Sequence, residues 1–88
     1  MCDALSVDVK ASSPLNRAMP KSLIAFGKAL RERRLALELS QEALAERCGF
    51  DRTYISMLER GTRNPSLLNL IKLAKGLETS VSHLTEVF

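Results

Sequence analysis

The run QEALAERCGFDRTYISMLER, from Gln41 to Arg60, concentrates the polar chemistry of this 88-residue chain. Ala45 lies four residues after Gln41, Gly49 four after that, Ile55 six further on and Leu58 three beyond. This spacing describes two short helices joined by a tight turn. A small Ala lets the second helix pack closely across the first, Gly permits the turn, and a β-branched residue plugs the angle between them. The outward face of the second helix is then free, and it holds Arg52, Thr53, Ser56 and Met57, with Tyr54 beside them. Such a face offers hydrogen bonds and charge rather than bond-making chemistry.

The inventory elsewhere points away from catalysis. His83 is the only histidine, with no second His and no Cys placed to share a metal. No GxGxxG or GxxxxGK phosphate loop occurs, and Glu32, Glu42 and Glu46 read as exposed helix positions. We therefore expect no enzyme activity and no cofactor. Thirteen Lys and Arg against ten Asp and Glu give a net charge of +3, compatible with a polyanionic partner but weak as evidence for one. Five basic residues (Lys21, Lys28, Arg31, Arg33, Arg34) and a single acid, Glu32, lie between Lys21 and Arg34, and most such charges form a solvated helix face.

These side chains need a scaffold, and 88 residues suffice for one compact domain. Hydrophobic residues make up 45% and aromatics only 5%, so the core is built from Leu, Ile and Ala, which favours helices. Residues 1–20 show no sustained period and read as a flexible leader; residues 21–88 read as the folded domain. The first helix runs from about Ser22 to Leu37, with Ile24, Phe26, Leu30 and Leu37 on its apolar stripe. The second opens at Ser40, an N-cap, with a Leu39–Leu44 staple spacing, and closes at Gly49 after Cys48. The third starts after Asp51 and stops at Gly61. Thr62–Pro65 is a turn, because Pro65 disfavours helix at Asn64. Ser66 caps a fourth helix with Leu67, Leu70, Ile71, Ala74 and Leu77 as its apolar face, and Ser80 opens a short fifth. The fold class is all-α, five helices, with a helix-turn-helix over about 41–60. Cys48 reads as a small buried hydrophobe, and two cysteines without CxxC spacing fit a reducing, cytoplasmic setting. No stretch approaches the roughly 20 apolar residues of a membrane span.

With FGKALRERR, LSQEALAERCGF, YISMLERGTRNPSLLNLIKLAKGL and SVSHL in this order, the chain resembles the Cro/CI-type, XRE-family helix-turn-helix regulators. DRTYIS and ERGTRNPS look like the strings of restriction-modification controller proteins within that family. The resemblance implies a transcriptional regulator that binds double-stranded DNA, as a homodimer on a palindromic operator, with its third helix in the major groove. It implies a phosphate contact at Gln41, base contacts at Arg52 and Thr53, phosphate or base contacts at Tyr54 and Ser56, and a groove-facing Met57. Arg60, Arg63 and Asn64 would grip the backbone. Arg34 and Glu59 match a partly buried ion pair between the first and third helices. Val81, Leu84, Val87 and Phe88 are the candidate dimer surface, the alternative being that Val81 and Leu84 complete the monomer core. An antitoxin or adaptor, whose main partner is a protein such as a toxin or the transcription machinery, is the alternative function. The chain departs from the family at Glu38 and Glu78, where Gly is usual, and at Thr79. Those positions leave loop geometry open.

Overall fold

The computed structural model describes residues 20–86; residues 1–19 of the expected 1–20 leader and the dimer candidates Val87 and Phe88 lie outside the described residues, while Pro20 stands at the start of the first helix. Five helices follow one another: α1 (Lys21–Ala36), α2 (Gln41–Cys48), α3 (Arg52–Arg60), α4 (Leu67–Gly76) and α5 (Val81–Thr85). Three of the starts are made by serine. The hydroxyl of Ser40 accepts from the Ala43 N–H at 2.9 Å, that of Ser66 from Asn69 at 3.2 Å, and that of Ser80 from His83 at 3.0 Å. Each bond satisfies a donor that the first helical turn leaves open.

The first four helices close in one way. A residue in the left-handed conformation follows the last turn, and the next N–H reaches back five residues: Leu39 to the Arg34 carbonyl, Phe50 to Ala45, Thr62 to Met57 and Thr79 to Ala74, all within 3.1 Å. Gly49 (φ 77°) and Gly61 (φ 78°) take this conformation freely. The other two are Glu38 and Glu78, each at φ 58°. The glutamates that replace glycine thus keep the same loop geometry, against a backbone preference of roughly 1–2 kcal/mol each. At Glu78 the environment assists. Arg33 donates through Nε to the Leu77 carbonyl and through Nη2 to the Glu78 carbonyl, both at 3.0 Å, and Arg47 Nη1 meets the Glu78 carboxylate at 3.2 Å.

Every helix contributes to one core: Phe26 and Leu30 from α1, Leu44, Ala45 and Cys48 from α2, Ile55 and Leu58 from α3, Leu73 and Ala74 from α4, then Leu77, and Leu84 from α5. Burial pushes the Cys48 thiol up from its ordinary value, outweighing the opposing effect of Arg47, so it packs as a neutral hydrophobe. Two glycines set how closely helices cross. A Cβ on Gly27 would fall 2.5 Å from the Leu58 carbonyl oxygen, and one on Gly76 would fall 2.5 Å from Cys48 Sγ.

Three residues of the expected apolar stripes are not in the core. Ile24 is exposed, lying over Gly61 at the rim, and Leu67 and Ile71 are exposed as well. Apolar residues at 67, 68, 70, 71, 73, 74 and 77 surround most of α4, so period alone does not select an arc. Packing turns the helix toward Leu73, and Leu67, Leu68 and Ile71 are left as a patch, Leu68 with 70% of its surface open. Leu84 corrects another expectation. It is 1% exposed and finishes the monomer core, so it offers no surface to a second chain; Val81 is half-buried against the same core. Among the described residues no helix is long and apolar enough to cross a membrane.

Candidate nucleic-acid interface

Helix α3 is held by its buried side. Ile55 and Leu58 have no exposed surface, and helical geometry then turns Arg52, Thr53, Ser56 and Arg60 to the opposite side. Arg52, Thr53 and Arg60 are exposed, while Ser56 and Met57 are half-buried. At the first turn Asp51 occupies the capping position in an extended conformation, yet its side chain makes no capping bond. The short helix therefore presents a cation, hydroxyls and amide N–H groups at its leading end, with the exposed Asp51 carboxylate beside them. A polar end of this type suits base edges and phosphate oxygens.

Tyr54 has a different environment. Its hydroxyl accepts a 2.9 Å hydrogen bond from Asn69 Nδ2 on α4, and its ring meets Phe50 edge-on at 4.9 Å between centroids. The guanidinium of Arg63 lies over the same ring, 5.5 Å from its centre, and Arg63 Nη1 reaches Met57 Sδ at 3.8 Å. Tyr54 thus braces α3 against α4 and seats Arg63 beside the exposed face of α3. Its phenolic hydrogen remains available to an acceptor. Asn64 is exposed and lines an apolar groove of about 250 Å³ with Leu23, Phe26, Pro65 and Leu70.

Behind the face lies a buried clasp. Arg34 donates to both carboxylate oxygens of Glu59, through Nε and through Nη2 at 3.0 Å, and its Nη1 donates to the Leu39 carbonyl at 2.8 Å. Gln41 Nε2 donates to Glu59 Oε1 at 3.0 Å. A carboxylate only accepts, so the amide nitrogen of Gln41 must face Glu59, which leaves one of its two hydrogens for a partner. The clasp ties α1, the start of α2 and the end of α3 together. Beside it, a polar cleft of about 190 Å³ is lined by Arg31, Arg34, Gln41, Ser56, Glu59 and Arg60.

Of the outward face expected from the sequence (Arg52, Thr53, Ser56 and Met57, with Tyr54 beside them), the structure keeps Arg52, Thr53 and Ser56 together, adds Arg60, and leaves Met57 half-buried at the edge, where Arg63 reaches it. Sequence reasoning named Tyr54 but not what holds it. It missed Asn69 and Phe50, which hold Tyr54, because nothing in spacing pairs residue 54 with a side chain 15 positions later. It also set Arg31 aside with the other α1 charges.

The helix-turn-helix family model HTH_3 matches residues 30–84. The chain belongs to this XRE-type helix-turn-helix family. The helix-turn-helix chain is 53% identical over 53 residues to control protein C.BamHI of Bacillus amyloliquefaciens, a match that covers 59% of this chain and 65% of that protein. Its fold is similar to the restriction-modification controller protein C.AhdI from Aeromonas hydrophila, with a TM-score of 0.73, 48% identity and coverage of 74% of this chain and 98% of that one. It is also similar to the biofilm regulator SinR solved in complex with DNA, with a TM-score of 0.65, 33% identity and coverage of 67% and 95%.

Proposed function

We propose that this helix-turn-helix chain is a sequence-specific transcriptional regulator that binds operator DNA through the major groove with α3. The observation that carries the reading is the division of α3 itself. Ile55 and Leu58 are fully buried, and Arg52, Thr53 and Ser56 project from the other side with no ion pair to Arg52 among the described residues. The likeness to a regulator solved on DNA supports it. Arg52 serves as the base reader, bidentate to guanine, and Thr53 offers a methyl to thymine. Arg63 and Arg60 take the backbone.

One such domain makes few contacts, and a two-fold dimer on half-sites about 34–36 Å apart multiplies them. With Leu84 committed to the core, the apolar patch of Leu67, Leu68 and Ile71 supports the homodimer reading better than α5 does. Charge introduced by Leu68→Glu should convert the dimer to a folded monomer in sedimentation. A wild-type chain that sediments as one protomer at micromolar concentration would refute the dimer.

The direct test selects bound sequences from a random double-stranded pool with wild type and Arg52→Ala. We expect a palindromic site, its preference relaxed at one symmetric position by ~1–3 kcal/mol in the variant. A folded protein that enriches nothing would instead indicate a module whose partner is a protein.

A further inference from the structure

We infer that Arg31, on α1, is a phosphodiester ligand, forming with Arg60 a two-arginine clamp on one DNA phosphate beside the recognition helix; this rests on the DNA-binding reading above. The structure sorts the basic residues of α1 by what they already hold. Arg33 is spent on the Leu77 and Glu78 carbonyls, and Arg34 on Glu59 and Leu39. Lys21, Lys28 and Arg31 remain exposed, and of these only Arg31 lines the cleft it shares with α3.

That cleft brings Arg31 from α1 together with Arg60 and Ser56 from α3 and Gln41 from the start of α2. Its one carboxylate cannot neutralise the two outer arginines. Both oxygens of Glu59 are engaged by Arg34 and Gln41, and only 5% of its side chain is exposed. Among the described residues neither Arg31 nor Arg60 has an acidic partner within ion-pair distance. Two guanidiniums, a hydroxyl and the spare hydrogen of the Gln41 amide are a donor set for a group with several anionic oxygens. A backbone phosphate fits that description, and the position of the cleft along α3 from Arg52 puts it beside the bases being read.

The test uses the full chain and anisotropy titrations, over a series of NaCl concentrations, on the selected operator and on a scrambled duplex. Arg31→Gln should bind both duplexes about tenfold more weakly, with the salt slope reduced by about one unit per chain and base preference unchanged. Arg31→Lys should keep the slope, and Lys75→Gln, on the exposed side of α4, should match wild type. Methylphosphonate substitution at single operator phosphates should then identify one position at which wild type and Arg31→Gln become equal. An Arg31→Gln protein with the wild-type melting temperature, affinity and slope, tested against a wild type that binds its operator, would overturn the clamp alone. Absence of duplex binding by wild type would overturn the DNA reading and the clamp with it.

Discussion

Two helix crossings in this molecule are built from the same parts. Where α1 meets α3, Gly27 lets the helices touch and Arg34 pairs with Glu59. Where α2 meets α4, Gly76 permits the contact and Arg47 pairs with Glu78. The difference is solvent. The Arg34 and Glu59 side chains are 9% and 5% exposed, whereas those of Arg47 and Glu78 are 42% and 63% exposed. In the first crossing the charges have given up their water and each depends on the other. In the second, water and salt stand ready to replace either partner. Identical residue types therefore carry unequal consequences, and burial sets the difference.

The sharpest test removes one carboxylate charge at each crossing. Glu59→Gln leaves Arg34 buried without a countercharge and should cost ~3–5 kcal/mol, a large share of the ~5–15 kcal/mol typical of small domains. Glu78→Gln should cost no more than ~1 kcal/mol. Urea melts of both variants read this directly, and equal losses would break the comparison. The same contrast has a salt arm: 1 M NaCl should abolish the difference between wild type and Glu78→Gln, and leave most of that for Glu59→Gln.

A second test addresses the glycines. Both Gly27→Ala and Gly76→Ala overpack their crossings and should cost ~1–3 kcal/mol. They differ in what they strike. At Gly27 the obstacles are the carbonyl oxygens of Leu58 and Glu59, at 2.5 and 2.6 Å, which are backbone. At Gly76 the obstacle is the Cys48 sulfur. Adding Cys48→Ala should therefore recover part of the stability of Gly76→Ala and none of that of Gly27→Ala. Comparable recovery in both would show that the α1–α3 contact adjusts as easily as α2–α4.

The smallest effects lie in the two left-handed glutamates. Glu38 has no partner side chain among the described hydrogen bonds and ion pairs, so Glu38→Gly should stabilise by ~0.5–1 kcal/mol, relief of strain outweighing the added freedom of the unfolded chain. Glu78→Gly should gain less, because it also gives up Arg47. Thermal melts that reversed this order would mean that the Arg47 contact contributes nothing.

Local rules account for what was legible in the chain. Ser40, Ser66 and Ser80 cap because a hydroxyl at the helix start reaches an N–H three residues on, wherever the domain places that helix. Gly49 and Gly61 close helices because each takes a left-handed φ that is local to the turn, although Gly61 also packs against the Ile24 backbone of α1. The free face of α3 followed from Ile55 and Leu58, since a nine-residue helix with two anchors three apart has one possible outside. The Arg34–Glu59 pairing was available only through the family resemblance. Val87, Phe88 and residues 1–19 have no place in the described residues to weigh against their expected roles.

The sequence by itself determined the five helices, the serine starts, the glycine ends and the side of α3 that faces outward, because each depends on interactions within a few residues; the closures at Glu38 and Glu78 it left open. Only the tertiary structure decided which arc of α4 is core, leaving Leu67, Leu68 and Ile71 outside, and that Leu84 belongs within. It alone decided the fate of the arginines of α1 other than Arg34: Arg33 spent on the end of α4, Arg31 open to the cleft beside α3. A charge on a helix surface has no assignment until a distant segment brings, or withholds, its partner. That information resides in the packing of elements far apart in the chain, where no periodicity records it.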